Sequence, residues 1–159
     1  GIGRALIYAR GAQGGGPINV GVVGLGTGTI ATYCAPGDKY VFYEIDSRIE
    51  RIARSYFSYL SHCEGSEVRI GDGRILLEAE RENGNKGEYD VLAVDAFNDD
   101  TIPMHLLTIE AFEVYAERLR SDGGVLAVHL SNRYLDLAPL IFRIAAELGF
   151  NAMLVIDEG

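Results

Sequence analysis

Three glycines and three acids carry the chemistry this chain could do. Val20 to Thr29 reads V-G-V-V-G-L-G-T-G-T, an apolar run ending in Gly24, Gly26 and Gly28 at alternate positions. Glycine there permits a tight turn and lets a bound group approach the backbone. Glu44, Asp72 and Asp95 each fall just beyond a further apolar, strand-like run. Carboxylates so placed can accept hydrogen bonds from sugar hydroxyls and amino groups, or take a proton from a bound amine. Together they read as a nucleotide site with a reacting centre beside it.

The spacing separates two uses of such a loop. The dinucleotide fingerprint is G-x-G-x-x-G, and Thr29 stands in its last place here. G-x-G-x-G is the usual shape of an S-adenosylmethionine (SAM) loop. The expected cofactor-binding set is Gly24, Leu25, Gly26, Thr27 and Gly28, with Glu44 and Ile45 after strand two and Asp72 and Gly73 after strand three. Glu44 takes ribose hydroxyls, a role it could fill in a nicotinamide or a SAM site. Asp72 accepts from the adenine amino group, and Asp95 faces the reacting sulfonium as the catalytic residue. An ordinary tight turn with loop acids is the bland alternative. Three acids in step with one glycine loop argue against it.

Other polar residues have plainer readings. Asp46 is expected as a helix N-cap, Asp38 as a solvated turn residue, and Glu78, Glu80 and Glu82 as an exposed helix face. Asp95 opens D-A-F-N-D-D-T-I-P-M-H-L-L-T, so Asp99 and Asp100 add two carboxylates to the loop, and His105 lies further along it. A solvated acidic loop is one reading. Ile102, Pro103, Met104 and Leu106 favour a folded lid that could meet substrate, with His105 packed in it. His129, at the end of strand five, reads as a structural histidine. No pair of histidines has metal-ligand spacing, so no metal is expected.

The elements that must position these groups alternate between strand and helix. Helix signals cover Arg4 to Arg10, Arg48 to Leu60, Arg74 to Glu82, the stretch after an N-cap at Thr108, and Tyr134 to Leu148. Thr29 to Cys34 opens a short helix after the glycine loop. Strand signals cover Asn19 to Val23, Tyr40 to Ile45, Glu67 to Ile70, Tyr89 to Val94, Val125 to Leu130 and Phe150 to Ile156. Phe42, Phe57, Phe112 and Phe142 fall at core spacing. The alternation predicts a doubly wound, mostly parallel α/β sheet with helices on both faces, Rossmann-like, and the ligand over the carboxyl ends of the strands.

The length of 159 residues fits one domain over residues 1–159. A net charge of -9 and a pI near 4.7 argue against nucleic acid as a partner. Cys34 and Cys63 have neither metal spacing nor a disulfide framework, which predicts reduced thiols and a cytoplasmic setting. No apolar run approaches membrane-spanning length. The chain starts at Gly1 without Met and ends just after an apolar run. It is expected to be a piece of a longer chain, with the fold truncated at both ends.

V-G-V-V-G-L-G-T-G-T, F-Y-E-I-D, I-G-D-G-R, Y-D-V-L-A-V-D-A-F and H-L-S-N-R-Y-L-D-L, in this order, resemble the spermidine synthase-like branch of the class I SAM-dependent methyltransferase fold. The D-A-F…I-P-M-H-L-L-T segment is similar to bacterial proteins in which such a domain follows membrane helices. The resemblance implies aminopropyl transfer from decarboxylated SAM to a small amine, a polyamine among the candidates, releasing methylthioadenosine. It implies Glu44 on the ribose, Asp72 on the adenine and Asp95 beside the attacking amine. Homodimerisation stays open. Polyamine synthases usually read G-G-G-D-G-G at the first loop, and Thr27 stands here in place of that Asp. Methyl transfer from SAM, releasing S-adenosylhomocysteine, is therefore the alternative reaction. A non-catalytic nucleotide-binding module of a membrane protein is the alternative class.

Overall fold

The computed structural model describes residues 1–96, 103–130 and 135–156. It contains helix α1 (Ile2–Ala12), strand β1 (Asn19–Val23), β2 (Lys39–Glu44), α2 (Ser47–Tyr56), β3 (Ser66–Ile70), α3 (Gly73–Glu82), β4 (Val91–Val94), α4 (Ile109–Arg118), β5 (Val125–Val128) and α5 (Ala138–Glu147). Short 3-10 turns occupy Thr29–Tyr33, Leu60–His62 and Met104–Leu107.

The strands form one parallel sheet in the order β3-β2-β1-β4-β5. The chain runs outward from β1 through β2 to β3, then returns to place β4 on the other side of β1. The carboxyl ends of β1 and β4 therefore flank the topological switch point, where such sheets bind ligands.

Period-two alternation sends successive strand residues to opposite faces. Val20, Val22, Tyr40, Phe42, Val91 and Ala93 pack with Leu6 and Ala9 of α1 and Ala53 of α2. Val23, Val41, Tyr43, Leu92 and Val94 pack with Leu77 of α3, Phe112 and Tyr115 of α4, and Ile144 of α5. Helices thus cover both faces of the sheet, and strands buried on two sides read as continuous apolar runs. Asp46 caps α2 by accepting from Arg48 N–H, and Thr108 caps α4 by accepting from Ala111 N–H.

Several expectations need correcting. Phe150 to Ile156 forms no strand, and Phe150, Met153, Leu154 and Ile156 stay exposed. β5 is one of the two edges of the sheet among the described residues, β3 being the other. An apolar run alone could not reveal whether a partner edge would be taken. Phe57 and Phe142 are also substantially exposed, although Phe42 and Phe112 are core.

Cys34 and Cys63 form a disulfide, with Cα atoms 5.6 Å apart. The expectation of reduced thiols fails because residues 29 apart in sequence are brought together by the turns at Thr29–Tyr33 and Leu60–His62. Asp38 is buried, not solvated. It accepts from both terminal nitrogens of Arg10, at 2.6 and 3.1 Å, and from the backbone N–H groups of Ile18 and Ala35. Glu80 leaves the exposed face to bond Arg118, whose side chain is 0% exposed, together with Glu88 and the Asn85 carbonyl. Long-range partners of this kind leave no mark in local sequence. No helix among the described residues is long and apolar enough to cross a membrane.

Candidate functional site

The strand register builds the site. Val23 is level with Tyr43 and with Val94, and Val94 is level with Val128. One residue further on, Glu44, Gly24, Asp95 and His129 form a single row across the carboxyl edge. The hydrogen-bond ladder continues through this row. Gly24 N–H donates to Tyr43 C=O at 2.8 Å, Asp95 N–H to Val23 C=O at 2.8 Å, and His129 N–H to Val94 C=O at 3.0 Å. Residues level with one another in a parallel sheet project to the same face. Here that is the face covered by α1 and α2.

Gly24 sits where two chain segments touch. A side chain at this position would meet the Asp95 carbonyl oxygen at 2.5 Å, and φ is +101°. The glycine loop is thus pressed against the segment leaving β4. Gly26 differs: its φ is +55°, yet the space beside it is open. Thr27 is half-buried, and Gly28 precedes the Thr29–Tyr33 turn. That turn has only five residues, so its dipole is weaker than that of the helix expected there.

Glu44 is 7% exposed, and each of its oxygens is held by one backbone N–H. Its Oε2 accepts from Leu25 N–H at 3.0 Å and its Oε1 from Asp46 N–H at 2.9 Å. A carboxylate offers about four acceptor positions, so each oxygen retains one. Ile45 follows it with an exposed side chain at the rim.

Asp72 caps α3, its Oδ1 accepting from Ile75 N–H at 3.2 Å. Its Oδ2 lies 2.9 Å from Nε2 of His105. Gly73 begins α3, buried against Val23. Arg74 donates to the His105 carbonyl and to the Thr108 hydroxyl. The start of α3 and the Met104–Leu107 turn are therefore clasped together by two contacts. His105 is not buried inside the turn as a packed residue; its side chain is 48% exposed and reaches Asp72. Asp99 and Asp100 lie outside the described residues.

Asp95 has a partner that sequence reasoning passed over. Nδ1 of His129 lies 2.6 Å from Oδ1 of Asp95. The available signal was positional: both residues directly follow V-x-x-V strands that neighbour each other in the sheet. Among the described residues no three His, Cys, Asp or Glu side chains converge as a metal-holding cluster.

No protein-family model matches the chain. It is 34% identical over 116 residues to a polyamine aminopropyltransferase of Vibrio vulnificus, covering 71% of this chain and 38% of that relative. Among solved structures, spermidine synthase from Thermotoga maritima superposes with a TM-score of 0.67 at 20% identity, over 89% of this chain and 50% of that one. Human methyltransferase-like protein 13, in complex with SAH, gives a TM-score of 0.73 at 24% identity, over 91% and 68%. The fold is that of the class I SAM-dependent methyltransferases. Within that fold the chain is similar in sequence to polyamine aminopropyltransferases. It spans about two fifths of the length of the Vibrio relative.

Proposed function

We propose that this domain binds an adenosyl sulfonium and transfers an alkyl group from it to an amine, with aminopropyl transfer from decarboxylated SAM as the reaction. One observation supports this most: the row Glu44, Gly24, Asp95 at the switch point, in a chain 34% identical to a polyamine aminopropyltransferase. In this reading Glu44 accepts the ribose hydroxyls, Asp72 the adenine amino group, and Ile45 offers the purine an apolar surface. The loop from Gly24 to Gly28, with Gly73 behind it, shapes the floor. The residues fit such a group: each Glu44 oxygen keeps an acceptor position, and open space lies beside Gly26.

A sulfonium donor supplies an activated carbon and leaves as a neutral thioether, so no general acid is needed. The remaining work falls to Asp95. An alkylamine is a cation at neutral pH, with a pKa near that of lysine, about 10. Asp95 pairs with that ammonium, holds its nitrogen in line and takes one proton from it; the freed lone pair forms the C–N bond as the C–S bond breaks, and the product leaves as a secondary ammonium. Such proton transfer contributes roughly a hundred- to ten-thousand-fold. Orientation supplies much of the rest.

Thr27 favours a second reading, methyl transfer from SAM, because it removes the acid that polyamine synthases carry for the aminopropyl amine. Calorimetry with methylthioadenosine, SAM and decarboxylated SAM, followed by transfer assays with a set of small amines, separates the two. The proposal expects binding of all three and an aminopropyl product. Methyl transfer alone would replace it with the second reading. Binding without any turnover in the full-length protein would leave a non-catalytic nucleotide module, and failure to bind would remove both reactions.

A further inference from the structure

We infer that His129 is the positioning residue for Asp95, the group that fixes which carboxylate oxygen meets the acceptor amine. The inference rests on the reading of Asp95 as the acid beside that amine.

The two site acids on the register row are held in different ways. Glu44 is locked by the backbone, with Leu25 N–H on one oxygen and Asp46 N–H on the other. Its orientation follows from the fold. Asp95 has no such backbone clamp among the described residues. Its Oδ1 is held instead by the 2.6 Å contact with Nδ1 of His129. An aspartate carboxylate turns readily about its terminal bond, whose torsional wells are broad and two-fold. Unheld, it would present either oxygen in a range of directions.

His129 is well built to hold it. Its backbone is fixed by the ladder bond from its N–H to Val94 C=O. Its side chain projects to the same face as Asp95, because the β4–β5 register continues one residue past Val94 and Val128. With the proton on Nδ1, the ring donates to Oδ1, and the second oxygen is directed to the acceptor. Both side chains keep partial access to solvent, 44% for His129 and 30% for Asp95, so a small amine can reach the carboxylate. A reacting group needs this kind of support: a displacement of about 1 Å costs on the order of a hundredfold in rate.

The test uses His129→Ala and His129→Asn in the full-length protein. The side-chain amide of Asn can place its NH2 group near the position of the imidazole Nδ1–H. It keeps the donor and loses the ring. His129→Ala is expected to lower kcat by about ten- to a hundredfold with methylthioadenosine affinity unchanged and the KM for the amine altered less than about threefold. His129→Asn is expected to recover most of that loss. A fall in nucleoside affinity equal to the fall in rate would assign His129 a merely structural role and overturn the inference. So would an Ala variant as active as the wild type, or an Asn variant as impaired as Ala. A wild-type protein that binds the nucleosides but transfers nothing from either donor removes the reaction itself, and the role of His129 with it.

Discussion

The Glu44 carboxylate and the Leu25 amide hold each other at 3.0 Å. Leu25 lies inside the glycine loop and Glu44 ends β2. The residue proposed as the ribose ligand therefore also shapes the glycine loop. Glu44→Gln retains one oxygen and replaces the other with an NH2 group, which must face a backbone N–H or rotate away. The expected result is a loss of about 1.5–3 kcal/mol in nucleotide binding, the range for a hydrogen bond to a charged group, with a smaller loss of stability. Calorimetry and thermal unfolding on the same variant measure the two effects.

Two glycines of the loop should fail in opposite ways. Gly24→Ala drives a methyl group to 2.5 Å from the Asp95 carbonyl oxygen, and backbone cannot yield as a side chain tip can. Unfolding measurements should show a large loss of stability, more than about 3 kcal/mol, in the range of exceptional point mutants. Gly26→Ala meets no atom and should cost only the roughly 1–2 kcal/mol of a left-handed residue. It should nonetheless weaken nucleotide binding strongly, since the new methyl enters the space that the proposed site gives to the ligand.

The contrast shows what the sequence made legible. G-L-G-T-G after a β-branched run announced the loop, and Glu44, Asp72 and Asp95 announced the carboxyl edge, because each ends a short apolar segment. Parallel order then followed from alternation with helices. The partners of these acids stayed hidden. His129 and Asp95 are 34 residues apart, and His105 and Asp72 are 33 apart. Nothing local encodes such a pairing until the register of β4 on β5, or the turn at Met104–Leu107, is known. The same holds for Asp38, which looked like a turn residue until Arg10 arrived from α1.

That Asp38–Arg10 pair predicts acid sensitivity. Burial raises the Asp38 carboxyl, but the Arg10 guanidinium and the amides of Ala35 and Ile18 more than offset it, leaving it below its ordinary value. A carboxylate depressed in the folded state contributes stability that is complete above the unfolded value, about 3.9. That stability is lost as pH falls through the folded value. Arg10→Met should cost about 2–3 kcal/mol at neutral pH. This is below the ~3–5 of a fully buried pair, because a quarter of the Arg10 side chain remains in solvent. It should also reduce the loss of stability as pH falls below about 4. Urea unfolding at neutral pH and at a series of acid pH values reads both effects.

The disulfide predicts a redox-dependent stability. Cys34 and Cys63 are 29 residues apart, and the chain-entropy estimate for such a loop is about 3–4 kcal/mol. Unfolding without reductant should expose no reactive thiol. Reduction, or Cys63→Ser, should lower the unfolding temperature by a clear step. Two titratable thiols in the untreated, unfolded protein would contradict the bond.

Asp95→Asn tests the central claim most directly. The replacement is nearly isosteric, can still bond His129 through its carbonyl oxygen, and cannot take a proton. The measurement pairs the methylthioadenosine dissociation constant with the single-turnover rate at saturating donor and amine. An acid that faces the amine should leave the dissociation constant within about twofold and cut the rate at least a hundredfold, as expected when transition-state stabilisation alone is removed. If nucleotide affinity falls as far as it does for Glu44→Gln while the bound fraction reacts at the normal rate, Asp95 is a nucleotide ligand and the account is wrong.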